Sequence, residues 1–317
     1  MKTKIIAVVG PTASGKSALA LELAKEYGGE IVSCDSMQIY KNMNIGTAKP
    51  TSDELALVRH HMIDIAEPTE NFSCEDYVRL ASAAIEDITS RGALPIVCGG
   101  TGLYLDALLR GGNSAPSIDT SEIRALLTAR AQNEGINSIY SELMAIDPES
   151  ASAIHPNNEK RVIRALEIYL ATGRTKSELD RESKLFDSPY DATVAYLTFN
   201  NRDLLYERID RRVDIMIEQG LIDEARMLMD KGVFELNRTA AQAIGYKELF
   251  GFLEGREELN SAIEALKRST RRYAKRQITW FSAKDYTISL PVDLNKEDKS
   301  LKSFEIIVKN AKKLFSL

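Results

Sequence analysis

Residues 10–17 read Gly-Pro-Thr-Ala-Ser-Gly-Lys-Ser, and they lie between an apolar run, Ile5–Val9, and a helical pattern that begins near Lys16. This order matches the phosphate-binding P-loop, in which a strand, a glycine-rich loop and a helix follow one another. The glycines let successive backbone N–H groups point at one anion, and the helix adds the positive end of its dipole. The sequence therefore predicts a site for a di- or triphosphate. Its candidate residues are Gly10, Pro11, Thr12, Ala13, Ser14, Gly15, Lys16 and Ser17.

Two side chains of this loop can act on the phosphate directly. Lys16 supplies a full positive charge for a terminal phosphate, and the Ser17 hydroxyl can ligate a magnesium ion that bridges phosphate oxygens. The expected cofactor is therefore Mg²⁺, bound by Ser17 but mainly by the diphosphate and water.

Short apolar runs alternate with helical patterns in the first third of the chain. Strands are predicted at Glu30–Cys34 and Leu94–Cys98, which with Ile5–Val9 makes three strands separated by helices. Such alternation predicts right-handed βαβ units and a parallel sheet, whose ligands bind beyond the carboxyl ends of the strands. The P-loop, the Asp35-Ser36 turn and the Gly99–Gly102 turn are therefore expected to converge.

The pattern changes after Gly111, where helices at 121–131, 136–146 and 158–172 follow one another without a strand until 193–199. The predicted fold is α/β, a P-loop NTPase-like parallel sheet with flanking helices and an all-helical insertion. We expect the first part of the core at 1–112, the insertion at 113–192 and the second part of the core at 193–317. Further helices are predicted at 203–219, 221–231, around 240–253, at 257–281 and from about 298, with a short strand at 286–290.

Composition is that of an ordinary globular protein, with 44% apolar and 27% charged residues. No stretch approaches 18 continuous apolar residues, and the N-terminus enters a strand almost at once, so neither a transmembrane helix nor a signal peptide is expected. The three cysteines are isolated, which predicts buried thiols in a reducing cytoplasm and no zinc site.

Asp35 and Thr101 follow predicted strands beside the expected phosphate. A carboxylate there is unfavourable unless it has a task such as accepting a proton, although Asp35 can also cap a turn. The Thr101 hydroxyl can donate to a phosphate oxygen or stabilise a turn.

A kinase requires an acidic group near the end of another strand to hold magnesium. The third predicted strand ends in Cys98-Gly99-Gly100-Thr101 without one, which argues against a kinase unless Asp35 substitutes.

Residues 267–276 hold six basic residues and no acid, in a chain of net charge −5. On a helix they form two adjacent rows of like charge, which is unfavourable unless a polyanion neutralises them. Gln277 can then hydrogen-bond a base edge and Trp280 can stack on a base, whereas the alternative is a solvated face with Trp280 in the core. The two rows are Arg268, Arg272 and Arg276, and Lys267, Arg271 and Lys275.

Two smaller basic clusters are equally compatible with binding and with an ion-paired surface. One is Lys160, Arg161 and Arg164, and the other is Arg208, Arg211 and Arg212.

Taken together, the sequence resembles the bacterial tRNA dimethylallyltransferase (tRNA isopentenyltransferase) family over nearly its whole length. The P-loop alone is shared widely with kinases, but the joint order of the other stretches is specific. The matching stretches are residues 10–17, 33–40, 46–50, 60–64, 99–104, 164–167, 242–248 and 275–281.

The resemblance implies transfer of a dimethylallyl group from dimethylallyl diphosphate to N6 of the adenosine 3′ of the anticodon, in tRNAs that read codons beginning with U. Diphosphate is released. Asp35 would accept the proton of the amine, and Thr101 and Arg212 would orient the diphosphate and the amine. Gln38 would read the target base after it flips out of the anticodon loop.

Family segments that contact the tRNA also map onto this chain. Lys247 departs from the family, in which many members carry Arg, and its ammonium cannot make a bidentate contact. The expected partners are the tRNA anticodon stem-loop and dimethylallyl diphosphate, with no membrane, and the protein is expected to be a monomer. The tRNA contacts implied by the resemblance are Asp35, Ser36, Met37, Gln38, Thr101, Arg124, Glu159, Lys160, Arg161, Val162, Ile163, Gly245, Lys247, Lys275, Arg276, Gln277 and Trp280.

Two other functions remain as alternatives. One is an ATP-dependent kinase of a small molecule or nucleotide, and the other is a nucleotide-gated RNA-binding module. The absent carboxylate after the third predicted strand speaks against the kinase, and the basic segment favours RNA.

Overall fold

The computed structural model describes residues 2–111, 120–183, 187–293 and 301–315. The chain forms two compact units, one of Met1–Leu109 with Pro189–Leu317 and the other of Arg110–Ser188. The first unit contains the P-loop and is called the core unit, and the second is called the helical unit.

Six strands form one sheet in the core unit, and every strand pair is parallel. The spatial order is β3-β2-β4-β1-β5-β6. The predicted parallel sheet is therefore confirmed, and its central strands are continuous apolar runs because helices cover both faces. The strands are β1 (Thr3–Val9), β2 (Gly29–Cys34), β3 (His60–His61), β4 (Leu94–Gly99), β5 (Tyr190–Thr198) and β6 (Thr287–Pro291).

Helices flank the sheet in the core unit and make up the helical unit. In chain order they are α1 (Lys16–Tyr27), α2 (Ser52–Leu57), α3 (Cys74–Ser90), α4 (Gly102–Leu109), α5 (Ser121–Glu134), α6 (Ile136–Ile146), α7 (Pro148–Ala153), α8 (Glu159–Thr172), α9 (Lys176–Ser183), α10 (Arg202–Glu218), α11 (Leu221–Asp230), α12 (Val233–Leu236), α13 (Phe250–Leu253), α14 (Leu259–Ser282) and α15 (Leu301–Leu314).

Local sequence signals explain several of these boundaries. Ser73 and Asp76 form a capping box that starts α3, and the helix then buries residues at helical spacing against the sheet. Helix α1 begins directly after Gly15, whose φ of 95° is left-handed. The Gly15 position provides no side-chain cap, so the first N–H groups of α1 receive no hydrogen bond from it.

The helical unit has its own apolar core. Leu127, Ile139, Leu143, Val162 and Leu166 are buried together there. Three of its helices, α5, α6 and α8, lie where the periodicity predicted helices, whereas α7 and α9 were not predicted.

Two expectations differ from the structure, and some elements were not expected. The strand expected at 193–199 begins earlier, at Tyr190, so the end of the expected insertion falls inside β5. The helix expected around 240–253 is instead two short turns followed by α13, because Gly245 adopts a left-handed φ of 109° that interrupts a helix. Strand β3 and helix α2 were not predicted.

Along the described stretches, the structure contains no helix that combines the length and apolarity needed to cross a bilayer. Cys34 and Cys98 are buried and carry free thiols, as expected, and Cys74 is partly buried.

Candidate active site

A cavity of about 270 Å³ lies in the core unit beside the ends of β2 and β4. The P-loop, the turn after β2 and the end of β4 all contribute to its wall, as the parallel topology predicted. The predicted site residues that line it are Thr12, Lys16, Ser17, Asp35, Ser36, Met37, Gln38, Arg212, Gly245, Lys247, Arg276 and Gln277.

The P-loop backbone requires glycine at its start. Gly10 has a φ of 148°, and a Cβ there would lie 2.9 Å from the carbonyl oxygen of Leu197 in β5. Ala13 also adopts a positive φ, 61°, which bends the loop into its compact form. The Ser14 hydroxyl is buried and has no hydrogen-bond partner in the part of the chain that the structure describes. A buried unsatisfied hydroxyl in a loop of this kind fits a bound anion.

Basic side chains outnumber acidic ones among the described residues that line the cavity. Burial lowers the pKa of Lys16 to about 8, and its ammonium donates a 3.0 Å hydrogen bond to the Pro11 carbonyl. Burial also lowers the pKa of Arg212, while the nearby Asp35 carboxylate opposes this change. Among the described lining residues, Asp35 supplies the one carboxylate. The arrangement suits a ligand with more than one negative charge.

Asp35 shapes the turn in which it lies. Its Oδ1 atom accepts hydrogen bonds from the backbone N–H groups of Met37 at 2.9 Å and Gln38 at 3.4 Å. Its Oδ2 atom has no hydrogen-bond partner within the described ranges. One oxygen therefore caps the turn, and the other can accept a proton from a ligand.

Thr101 joins the ends of β2 and β4. Its hydroxyl oxygen accepts a 3.0 Å hydrogen bond from the Ser36 N–H, and its own N–H donates to the Cys34 carbonyl at 3.1 Å. Thr101 thus fixes the turn that carries Asp35.

Gln38 is hydrogen-bonded on both sides of its amide. The Ser33 hydroxyl donates to Oε1 at 2.9 Å, and Nε2 donates to the carbonyls of Thr47 at 3.2 Å and Ala48 at 3.1 Å. Reading a base with this amide, as the resemblance implied, requires one of these bonds to exchange. The base contact of Gln38 stays a prediction.

A carboxylate that the sequence reasoning missed supports the loop that contributes Gly46 to the wall of the cavity. Glu224 of α11 is 9% exposed and accepts hydrogen bonds from the N–H groups of Asn44 at 2.9 Å, Ile45 at 2.9 Å and Gly46 at 3.1 Å. Tyr246 packs against the same loop, since a Cβ on Gly46 would lie 2.5 Å from its ring. Glu224 therefore orients residues 44–46.

Gln277 occupies a different position from the one expected. Its side chain is buried, its Oε1 accepts from the Thr12 N–H at 2.8 Å, and its Nε2 donates to the Gly100 carbonyl at 3.0 Å. An amide held in this way is not free to bind a base edge.

Trp280 packs against the core and against Gly102, where a Cβ would lie 2.3 Å from the indole. The alternative in which Trp280 belongs to the core therefore describes it better than base stacking does.

Helix α10 neutralises two of the six basic residues in the predicted basic segment. The Lys267 ammonium lies 2.7 Å from Asp214, and the Arg271 guanidinium donates to Asp210 at 2.6 Å. The remaining basic residues of the segment are exposed and form no ion pair within the described ranges. We call this set the exposed basic face; it consists of Arg268, Arg272, Lys275 and Arg276.

The helical unit contains the other predicted tRNA contacts. Arg124 donates to the fully buried Glu167 at 2.9 Å through Nε and at 2.8 Å through Nη2, and Arg164 pairs with the same carboxylate. Although burial opposes ionisation, hydrogen bonds from Arg124 and Thr120 lower the pKa of Glu167. Glu167 thus holds two half-exposed arginines side by side.

Two of the expected contacts in this unit have buried side chains. Val162 and Ile163 are buried in the core of the unit and cannot present their side chains to an RNA. The preceding residues of α8, at 159–161, are exposed.

The cavity offers donors that suit magnesium. Within the residues that the structure describes, no group of three or more His, Cys, Asp or Glu side chains could hold a metal ion. Ser17 and Asp35 both line the cavity. A site with few protein oxygens fits Mg²⁺, which keeps several waters and binds the phosphate oxygens of a substrate.

The fold and the site together define a P-loop α/β protein with a cavity that is lined by the P-loop and contains a carboxylate. The sequence profile of the IPP transferase family matches residues 38–284. The chain belongs to this family.

Individual relatives agree with this assignment. The chain is 50% identical over 281 residues to a tRNA dimethylallyltransferase from Geobacillus thermodenitrificans, covering 89% of this chain and 88% of the relative. A crystal structure of a tRNA isopentenylpyrophosphate transferase from Bacillus halodurans is 44% identical and has a TM-score of 0.70, covering 99% of this chain and 98% of that chain. A eukaryotic dimethylallyltransferase acting on tRNA has a TM-score of 0.78 at 31% identity, covering 97% of this chain and 79% of that chain.

Proposed function

We propose that this chain transfers a dimethylallyl group from dimethylallyl diphosphate to N6 of the adenosine 3′ of the anticodon, in tRNAs that read codons beginning with U. The observation that carries the proposal is the cavity, in which a P-loop and several cations face Asp35. The family to which the chain belongs supports a transferase over a kinase. The absence of a carboxylate at the end of β4 agrees with that preference.

The P-loop holds the diphosphate in this proposal. Its backbone N–H groups, Lys16 and Arg212 bind the phosphate oxygens. As the bond between the allylic carbon and the diphosphate oxygen breaks, negative charge develops on that oxygen, and these fixed positive groups stabilise it.

Asp35 completes the transfer. The N6 amine forms a bond to the allylic carbon while the carbon–oxygen bond breaks, and the nitrogen then carries a proton that it must lose. The Oδ2 atom of Asp35 accepts this proton, since Oδ1 is occupied by the turn. Thr101 keeps the turn in place.

Magnesium would be held by Ser17 together with the diphosphate and water. When bound, it neutralises charge on the leaving diphosphate. The P-loop, Lys16 and Arg212 orient the diphosphate.

The RNA partner is a tRNA anticodon stem-loop. The exposed basic face binds the phosphates of this RNA. In the helical unit, Arg124 and the exposed residues 159–161 are further contacts. The protein acts as a monomer in the cytoplasm, where its tRNA substrate is found.

Incubation with labelled dimethylallyl diphosphate and unmodified tRNA tests the proposal. Label is expected to appear in tRNA and, after digestion, on the adenosine next to the anticodon. Consumption of ATP without label transfer would instead support the kinase, and RNA binding without either reaction would support the RNA-binding module.

A further inference from the structure

Gln277 connects two loops of the core unit through a single buried amide. Its side chain is 5% exposed, accepts from the Thr12 N–H of the P-loop at 2.8 Å and donates to the Gly100 carbonyl after β4 at 3.0 Å. Both partners are distant in sequence from Gln277, so α14 is hydrogen-bonded to the two loops that follow the neighbouring strands β1 and β4.

The amide has little freedom to move. A Cβ on Gly100 would lie 2.1 Å from Nε2 of Gln277, which means that the side chain fills the space a larger residue would occupy. Thr12, whose N–H the amide binds, itself lines the cavity. The hydrogen bond therefore fixes a peptide of the P-loop directly beside the phosphate position.

We propose that Gln277 is a positioning residue that locks the P-loop to the turn after β4 and so sets the direction of the P-loop N–H groups. The inference rests on the proposed function, because it takes a diphosphate as the ligand of that loop. Lys275 and Arg276 are exposed on the same helix. The helix that carries the exposed basic face thus also holds the diphosphate loop in its binding geometry.

Pyrophosphate binding in the presence of Mg²⁺ tests this role by calorimetry. Gln277→Met keeps the volume of the side chain and removes both hydrogen bonds, and Gln277→Ala removes the side chain. Both are expected to raise the Kd for pyrophosphate roughly tenfold, as the loss of one or two buried hydrogen bonds predicts. Affinity for an anticodon stem-loop RNA is expected to stay within about twofold, since the amide is buried. Gln219→Ala, at an exposed glutamine after α10, is the matched control and is expected to bind pyrophosphate as the wild type does.

Steady-state kinetics separate positioning from a general loss of folded protein. The KM for the prenyl donor is expected to rise more than kcat falls in Gln277→Met, measured at a temperature at which the variant stays folded despite the unpaired Thr12 N–H and Gly100 carbonyl. Loss of folded protein would lower kcat alone.

A double-mutant cycle with Gly100→Ala tests the contact itself. The added methyl displaces the amide, so Gly100→Ala is expected to weaken pyrophosphate binding, and combination with Gln277→Ala is expected to add little. The inference would be overturned if both Gln277 variants bound pyrophosphate as tightly as the wild type, or if the effects of the two substitutions on binding were fully additive. The proposed function would stand in either case. Failure of the wild type to bind pyrophosphate would remove the proposed function and this inference together.

Discussion

The Tyr246 hydroxyl donates a 2.7 Å hydrogen bond to the Glu224 carboxylate, and this pair supports the loop that forms one wall of the cavity. Burial raises the pKa of Tyr246, so the phenol stays protonated and remains a donor. The carboxylate accepts from three successive backbone N–H groups at 44–46 in addition. A buried anion with four donors is a rigid anchor, because each donor would otherwise lose its partner.

Glu224→Gln is therefore expected to destabilise the protein by about 1.5–3 kcal/mol, because an amide N–H₂ would face backbone donors. Tyr246→Phe removes one hydroxyl and is expected to cost about 1 kcal/mol. Urea denaturation measures both changes. Hydrogen exchange of the amides at 44–46 is expected to accelerate in Glu224→Gln and to change little in Tyr246→Phe. Equal protection in wild type and Glu224→Gln would show that the carboxylate does not hold the loop.

Asp35→Asn tests the proposed role of Asp35 as proton acceptor while preserving the turn. The asparagine Oδ1 can still accept from the Met37 and Gln38 N–H groups, so the backbone is expected to keep its shape. A single-turnover assay is expected to show a transfer rate lower by roughly 10²–10⁴-fold, with tRNA affinity nearly unchanged. An unchanged single-turnover rate would remove Asp35 from the chemical step.

If the exposed basic face binds tRNA, two lysines of the same helix are expected to contribute differently to tRNA affinity. Lys275 is exposed, whereas Lys267 is 15% exposed and paired with Asp214. Lys275→Ala is expected to weaken tRNA binding and to reduce the slope of log K against log salt by about 1. Lys267→Ala is the matched control, and its slope is expected to equal that of the wild type. Filter binding over a series of salt concentrations measures both, and equal slopes in all three proteins would argue against the exposed basic face.

Local patterns were sufficient for the P-loop, the parallel sheet and most of the helices, because each depends on residues that lie close in sequence. Glu224 could not be found in this way. It binds residues 178 to 180 positions away, so the local sequence does not indicate its partners, although its spacing from Leu221 and Leu228 places it on the buried face of α11.

Gln277 and the 162–163 pair carried a signal that sequence reasoning did not use. Ala274, Gln277 and Phe281 follow helical spacing and share the buried face of α14. Val162 and Ile163 share a buried face with Leu166 in the same way. In both places the neighbouring basic residues favoured an RNA-binding interpretation, while the spacing of the apolar residues indicated that these side chains are buried.

The ion pairs of Glu30 are expected to make the stability of the core unit depend on pH. It is the second residue of β2, and its carboxylate binds Arg91 after α3 at 2.9 Å and His61 of β3 at 2.6 Å. Hydrogen bonds from Arg91, opposed by burial and aided by His61, lower the pKa of Glu30 from its usual 4.5 to about 2. Because the pKa is lower in the folded protein, the carboxylate stabilises the fold fully above about pH 4.5, and this contribution disappears as the pH falls towards 2.

Glu30→Gln is accordingly expected to lower the urea midpoint at pH 7, and the difference from the wild type is expected to narrow as the pH falls below 4.5. Glu22→Gln is a suitable control, since Glu22 pairs with Lys25 on the exposed surface of α1 and such pairs contribute only about 0.3–0.5 kcal/mol. Urea denaturation at pH 7, 5, 4 and 3 follows the difference. A Glu30→Gln difference that stays constant over this series would show that the ionised carboxylate is not what stabilises this corner of the sheet.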